Sequence, residues 1–424
     1  MKIMWITFAP VGKMAQILYG TPTQSGGWVD ATLDALLPYI RGGHLSLQIA
    51  TLDPKAACVT DEETGVLYRT VNVARNRGKR GAREDQAKFK ALIDDFSPDV
   101  IQIWGTEFTF GLDVIAAAGD IPVCFYIQGV MSSLVKHPLG DISPMSLFRQ
   151  LGASSFFKLR SMKKLNKLNA KHLPYEVEMI EKSAGLIVDN DWTCAQYRHC
   201  ANKFYFVPLA TNSCFEQASW STESIDRHTL FTVAGGNCPQ KGVHDAVLAV
   251  AHLKEKYPDI KLYIPGNISK RKPRFLYNSI FIRHINKLIE QYHLQANVCF
   301  TGRLSAMEMA QQMKKSNAFV MPSCVETHSS SLREAMLVGA PCVSTDVGSV
   351  PEFLHHGENG FLYRYGESET LAYYIDKIFS ADSLAQSMGS AARKTIIEMF
   401  PQNKIGEMTM AAYEQMISGG KTNG

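Results

Sequence analysis

Residues 319–352 read FVMPSCVETHSSSLREAMLVGAPCVSTDVGSVPE, and their reading decides the fold. The stretch opens in a short apolar run, Ala318–Met321, of the length and β-branched character of a buried strand. Pro322 ends it. A polar loop follows over 323–331, then a helical pattern over 332–339 closed by glycine, and a second apolar strand over 341–345. Strand, loop, helix, strand is a βαβ unit, and the loop beyond the strand's carboxyl end is where such units take ligands. That loop carries Glu326 and, with seven residues between them, Glu334. Between them lie His328, Ser329, Ser330 and Ser331, whose backbone N–H groups face outward at a helix start suited to an anion.

The two glutamates also admit a local reading. Ser331-Leu-Arg-Glu334 has the spacing of a capping box, and Ser349-Val-Pro-Glu352 repeats it. Glu334 is therefore either a cap or a ligand group. Glu326 stands in a loop with no basic residue before Arg333, where its carboxylate is available to hydroxyl donors.

The Glu326–Glu334 spacing, "EAMLVGAPCVSTDVGSVPE", "HGENGFLY" and "FTGRLSAMEMAQQMKKSNAFVMPS" together resemble the C-terminal half of glycosyltransferase family 4, over most of 229–417. The resemblance implies a retaining enzyme of the GT-B fold. This is an α/β architecture of two Rossmann-like, doubly wound parallel-sheet domains facing across a cleft. It further implies that Glu326 holds a hydroxyl of the donor sugar, that Glu334 holds the ribose diol of the nucleotide, and that His328 and Ser329–Ser331 border the diphosphate. The backbone at Arg303 and Leu304, in "FTGRL", would lie beside the base.

Size and composition agree with such a chain. With 424 residues, 46% hydrophobic and 20% charged, it is long enough for two domains, each with its own core. Net charge is only +4 and no recognition motif is present, which argues against a nucleic-acid partner. No apolar run approaches the roughly 18–20 residues of a membrane span. MKIMWITFAP enters a strand directly, without the cleavage site of a signal peptide. The nine cysteines are scattered with no C-x-x-C pair, which fits neither a disulfide framework nor a zinc site; the expected compartment is the reducing cytoplasm.

In chain order, 2–8 is the first strand, 9–27 a long loop, and 28–40 a helix with Val29, Leu33, Leu36, Leu37 and Ile40 on one face. Gly26 and Gly27 stand at its start, either as a flexible turn or as a place where backbone approaches a phosphate closely. Further strands are expected at 45–52, 100–104, 122–127, 185–188 and 204–207. Gln128-Gly129 follows one of them, where the family usually has His-Gly near the donor sugar; a glutamine there can hydrogen-bond a hydroxyl but cannot act as a base. The run Arg75–Arg83 is a solvated loop or a patch for an anionic acceptor.

No acid occurs between Asp141 and Glu176. Lys158, Arg160, Lys163, Lys164 and Lys167 lie there among leucines and phenylalanines, the composition of a surface resting on anionic headgroups or meeting an acceptor. The alternative is a solvated helix face packed by its leucines.

These patterns give an N-terminal acceptor domain over 1–207, a linker over 208–228, a nucleotide-sugar domain over 229–398, and a terminal helix and tail over 399–424 returning to the first domain. In the second domain a strand over 230–234 leads through Gly235 to Lys241, at a strand–loop–helix junction. Lys241 resembles the lysine of the family's "GR…KG" element, which neutralises the donor diphosphate. The arginine of that element is replaced by Gly236, and Arg303 is one candidate for its role.

The expected function is transfer of a sugar from a nucleotide-diphosphate sugar to a hydroxyl of a glycan or lipid-linked acceptor, in surface polysaccharide synthesis. Lys241 and Glu326 carry the chemistry as a metal-independent hexosyltransferase without a cofactor, at the inner face of the cell membrane. The alternatives are another GT-B enzyme, such as a nucleotide-sugar epimerase or sugar-phosphate synthase, and a non-catalytic membrane-attached subunit.

Overall fold

In the computed structural model the apolar runs become two sheets, each in its own compact unit. The structure describes residues 1–20, 26–152, 156–232, 238–266 and 278–420. The first unit comprises residues 1–132, 167–211 and 401–424; the second comprises 133–166 and 212–400.

The first unit holds, among the described residues, an eight-stranded sheet: β1 (Lys2–Thr7), β2 (Ser46–Leu52), β3 (Cys58–Thr60), β4 (Leu67–Val71), β5 (Val100–Trp104), β6 (Val123–Tyr126), β7 (Gly185–Val188) and β8 (Phe204–Phe206). Their order is β3-β4-β2-β1-β5-β6-β7-β8. Every pairing is parallel except that of β3 with β4. β1, β5 and β6 are buried almost throughout, as strands covered on both faces must be. The helix Ile405–Gly420 closes this unit. Its Tyr413 hydroxyl accepts from the Trp5 indole N–H at 2.8 Å and donates to Gln102 Oε1 at 2.6 Å, all within the core.

The second unit holds, among the described residues, a six-stranded, all-parallel sheet: β9 (Asp226–Thr232), β10 (Lys261–Pro265), β11 (Val298–Gly302), β12 (Ser316–Met321), β13 (Cys342–Thr345) and β14 (Phe361–Tyr363), in the order β11-β10-β9-β12-β13-β14. Around it packs one large core that includes Leu230, Phe231, Phe319, Leu332 and Met336.

Three differences from the sequence reading have physical causes. The segment 9–27 is not all loop, because Gly12–Tyr19 forms a helix that buries Met14 and Ala15. The segment 208–228 is not a free linker. Phe215 and Trp220 are buried, the Trp220 indole N–H donates to the Ser316 carbonyl at 2.7 Å, and β9 already begins at Asp226. Residues 133–166 fall in the second unit and not with the rest of 1–207. Leu147 and Leu151 of the helix Pro144–Leu151 cluster with Ile280, Gln150 bonds His284, and Arg283 donates to the Leu151 carbonyl. Those partners lie about 130 residues away in sequence, beyond the reach of a local pattern.

Candidate active site

β9 and β12 are neighbours and run parallel in register, Phe231 beside Phe319, so the loops leaving their carboxyl ends emerge side by side. Among the described residues after β9, the 3-10 turn Pro239–Lys241 leads into the helix Val243–Leu253. After β12 it enters the loop that carries Glu326. The Lys241 Nζ donates to Glu326 Oε1 at 2.6 Å, which joins two residues 85 apart in sequence. The Glu326 side chain is 7% exposed and that of Lys241 34%. Burial alone would lower the ammonium's pKa, but the attraction of Glu326 outweighs it and the net shift is upward. Lys241 therefore keeps its charge in a partly desolvated place.

The Glu326 loop is clamped between two glycines. Gly242, at φ +64°, lies so close to the loop that a Cβ there would stand 1.6 Å from the Pro322 carbonyl oxygen. Gly348, at φ +57°, would place a Cβ 1.7 Å from the carbonyl oxygen of Glu326 itself. Both positions demand left-handed backbone and no side chain. Hydrogen bonds complete the clamp: the Cys324 N–H donates to the Gln240 carbonyl at 2.8 Å, Thr345 Oγ1 to the Ser323 carbonyl at 2.6 Å, and Ser349 Oγ to the Thr327 carbonyl at 2.6 Å. Sequence reasoning missed these supports, although Gly242 and Gly348 stand inside the motifs it used.

The helix after the loop runs Ser330–Val338 and stops at Gly339 in left-handed backbone. Its N-cap is Ser329, itself at φ +52°, with no side-chain cap. The capping box expected at Ser331 is therefore not formed, because Ser331 already lies inside the first turn. Ser329 is 2% exposed, and its hydroxyl has no hydrogen-bond partner among the described residues. His328 is buried beside it, while Ser330 and Ser331 are half-buried. The Glu334 carboxyl has no hydrogen-bond or ion-pair partner among the described residues, and burial pushes its pKa up to about 8. The next residue back, Arg333, is spent elsewhere: its guanidinium stacks on Phe400 at 3.8 Å and on Phe353 at 5.1 Å.

The remaining expected residues are more dispersed. Arg303 follows the edge strand β11, two strands from β9, and is exposed; Leu304 packs partly on the core. Gly235, like Gly236, lies outside the described residues. In the first unit, Gly26 takes left-handed backbone at φ +86° and caps the helix Gly27–Arg41, and Gln128 follows β6 half-buried. The run at 75–83 is largely tied down there. Arg75 donates to the Leu52 carbonyl, Arg77 to Asn169 and the Glu107 carbonyl, and Arg80 pairs with Glu178. Arg160, Lys163, Lys164 and Lys167 are exposed along the helix Phe156–Glu181; the side chain of Lys158 lies outside the described residues. All nine cysteines are free, with Cys124 and Cys342 buried and Cys299 half-buried in their strands. No helix among the described residues is long and apolar enough to cross a membrane.

Residues 216–395 match the family of glycosyl transferases group 1. That matched stretch contains Lys241, Arg303, Glu326, the helix start and Glu334. N-acetyl-alpha-D-glucosaminyl L-malate synthase of Bacillus anthracis is 28% identical over 181 residues, which cover 43% of this chain and 44% of that protein. MMP alpha-(1->4)-mannosyltransferase of Mycolicibacterium hassiacum is 24% identical over 217 residues, 51% of this chain and 49% of its own length. The chain thus spans about half the length of the curated relatives it matches. Similarity of fold extends further. Sucrose-phosphate synthase from Thermosynechococcus elongatus superposes with a TM-score of 0.73 at 17% identity, over 99% of both chains. Anabaena HepE, solved with UDP and glucose, gives 0.68 at 15% identity over 98% of this chain and 100% of its own. The fold is that of the GT-B glycosyltransferases: two parallel-sheet α/β units flanked by helices.

Proposed function

We propose that the protein is a retaining glycosyltransferase that moves a hexose from a nucleotide-diphosphate sugar to a hydroxyl of a glycan or lipid-linked acceptor. The observation that carries this reading is the Lys241–Glu326 pair set beside the start of the helix Ser330–Val338. As the sugar leaves, negative charge builds on the departing diphosphate. An ammonium and helix-start amides already fixed in place stabilise that charge without reorganising. One cation at about 4 Å is worth roughly 4 kcal/mol at an effective dielectric near 20. Glu326 then accepts from a sugar hydroxyl, and Glu334 from the ribose diol of the nucleotide.

In this reading fixed protein charge replaces a metal ion, and no cofactor beyond the donor takes part. The match to group 1 glycosyl transferases supports the reaction class, and HepE, solved with UDP and glucose, supports a nucleotide-sugar donor. The enzyme would work at the inner face of the cell membrane, in surface polysaccharide synthesis.

The test is a thermal-shift screen of the full chain against UDP, GDP, ADP and their sugars, followed by assay with whichever donor binds. A ligand that binds only the folded state raises the melting temperature. Binding that depends on Lys241, with sugar transferred and anomeric configuration kept, supports the proposal. Binding by none of them, or donor consumed equally without an acceptor, overturns it.

A further inference from the structure

The second unit contains a slot whose lining includes neither Lys241 nor Glu326. It encloses about 570 Å³, within the range of small-molecule sites, between the loop before the helix Pro144–Leu151 and the first turns of the helix Phe156–Glu181. Pro138, Leu139, Pro144, Leu159 and Met162 line it with apolar side chains, beside Asn166, whose amide donates to the Val135 carbonyl. Arg160 and Lys163, one helical turn apart and both exposed, stand at its rim. Lys164 and Lys167 continue that cationic stripe along the helix, and Met145 and Phe148 are exposed nearby, 57% and 41%. The nearest acid in sequence, Asp141, is engaged by His137 Nδ1 at 2.8 Å.

The slot adjoins the Lys241 turn. Its wall residue Leu139 precedes Gly140, whose Cα lies so near the Pro239 carbonyl that a Cβ would meet it at 2.2 Å. The Tyr365 hydroxyl donates to the Gly140 carbonyl and fixes that contact. Pro239 begins the same 3-10 turn that presents Lys241 to Glu326. One wall of an apolar slot is thus seated directly on the element that carries the ammonium.

We propose that this slot holds the hydrocarbon chain of a phosphate-bearing lipid acceptor, with Arg160 and Lys163 meeting the phosphate. The proposal rests on the transferase reading above and names its acceptor class. An apolar floor alone would take any hydrocarbon. The two cations at its mouth, in a stretch without acids from 142 to 175, select an anionic head. Burying a methylene is worth about 0.8 kcal/mol, which converts to roughly fourfold in affinity, so chain length is the property the slot reads.

The experiment is calorimetric titration of the full chain with n-dodecyl phosphate below its micelle concentration, with n-hexyl phosphate, inorganic phosphate and neutral dodecyl maltoside as the other arms. The expected result is one dodecyl phosphate per chain, bound at least tenfold tighter than hexyl phosphate, with inorganic phosphate failing to compete. Leu159→Gln should weaken dodecyl phosphate at least tenfold, and Met162→Gln serves as the second variant should the first not fold. Arg160→Gln with Lys163→Gln should weaken dodecyl phosphate but leave dodecyl maltoside unchanged. No saturation, an affinity that ignores chain length, or one unchanged by these substitutions overturns the proposal. So does attachment to phosphatidylglycerol vesicles that survives Leu159→Gln while the free chain binds no dodecyl phosphate, since that describes a surface and not a slot. Titrating the same samples with nucleoside diphosphates keeps the two readings apart. Nucleotide bound without dodecyl phosphate sinks the slot alone, and dodecyl phosphate bound without any nucleotide sinks the transferase reading.

Discussion

Lys241 and Glu326, 85 residues apart in sequence, meet at 2.6 Å because β9 and β12 are neighbours in the second sheet. Each neutralises the other while no ligand is bound. In the proposed reading a diphosphate arriving beside Lys241 would share that ammonium with Glu326, and a sugar hydroxyl donating to Glu326 would loosen its hold on the lysine. On that reading the pair would couple the two ends of a nucleotide sugar.

Lys241→Ala is expected to lower turnover by about 100-fold or more, the loss seen when one charge-stabilising donor is removed. It also leaves a buried carboxylate without its partner, at a cost of about 1–3 kcal/mol. Adding Glu326→Gln should recover most of that stability and none of the turnover. Initial rates and chemical denaturation of the single and double variants check both halves.

Glu334 gives a pH dependence. Its carboxyl is raised by burial from 4.5 to about 8, so the folded state holds a proton that the unfolded chain releases above its ordinary value. Stability should therefore fall as pH rises from about 4.5 to 8 and level off beyond. Glu334→Gln removes the ionisation and should raise the melting temperature at pH 8 while changing it little at pH 5. In its proposed role Glu334 accepts from both ribose hydroxyls as an ionised carboxylate, the stronger acceptor. Nucleotide binding near pH 7 should then release protons, read by calorimetry in buffers of different ionisation heat, and the glutamine variant should abolish that release.

What was legible from sequence follows from range. The order of elements around β12 and β13 could be read, because continuous apolar runs, Pro322 and Gly339 are local signals, although the helix begins at Ser330 and not at 332. Lys241 and Glu326 could each be singled out, but their contact could not, since only the strand order β11-β10-β9-β12-β13-β14 makes neighbours of β9 and β12. β3 escaped notice because all three of its residues are exposed, and a strand with no buried face has no alternation to read. The placement of 133–166 with the second unit was likewise hidden. Leu147 and Leu151 are ordinary amphipathic positions until Ile280 is known to be their partner.

Gly348→Ala tests the clamp on the Glu326 loop. The added methyl group would stand 1.7 Å from the Glu326 carbonyl oxygen, in backbone at φ +57° that already disfavours a side chain. The loop must move, and a loss of at least about 2 kcal/mol is expected together with most of the nucleotide affinity. Gly339→Ala is the control: its φ is +84°, but the nearest atom to the new Cβ is 3.7 Å away, so it should cost only the left-handed strain of about 1 kcal/mol and leave binding intact. Urea denaturation and nucleotide titration of the two variants separate strain from displacement.

Tyr413 closes the first unit through one hydroxyl that serves two partners, the Trp5 indole N–H and Gln102 Oε1. Tyr413→Phe keeps the ring and removes the oxygen, so a buried donor and a buried acceptor both lose their partner. Each orphaned group costs about 1–3 kcal/mol, far more than the small change in apolar area returns. Tyr413→Phe should therefore lower the melting temperature by several degrees and unfold the first unit earlier, with Trp5 fluorescence reporting the loss of its environment. The second unit's Lys241–Glu326 pair shares no residue with this network, so nucleotide affinity measured below the transition should be unchanged. A variant that melted normally would mean that water or a neighbouring group replaces the hydroxyl, and that the helix Ile405–Gly420 is held by its apolar face alone.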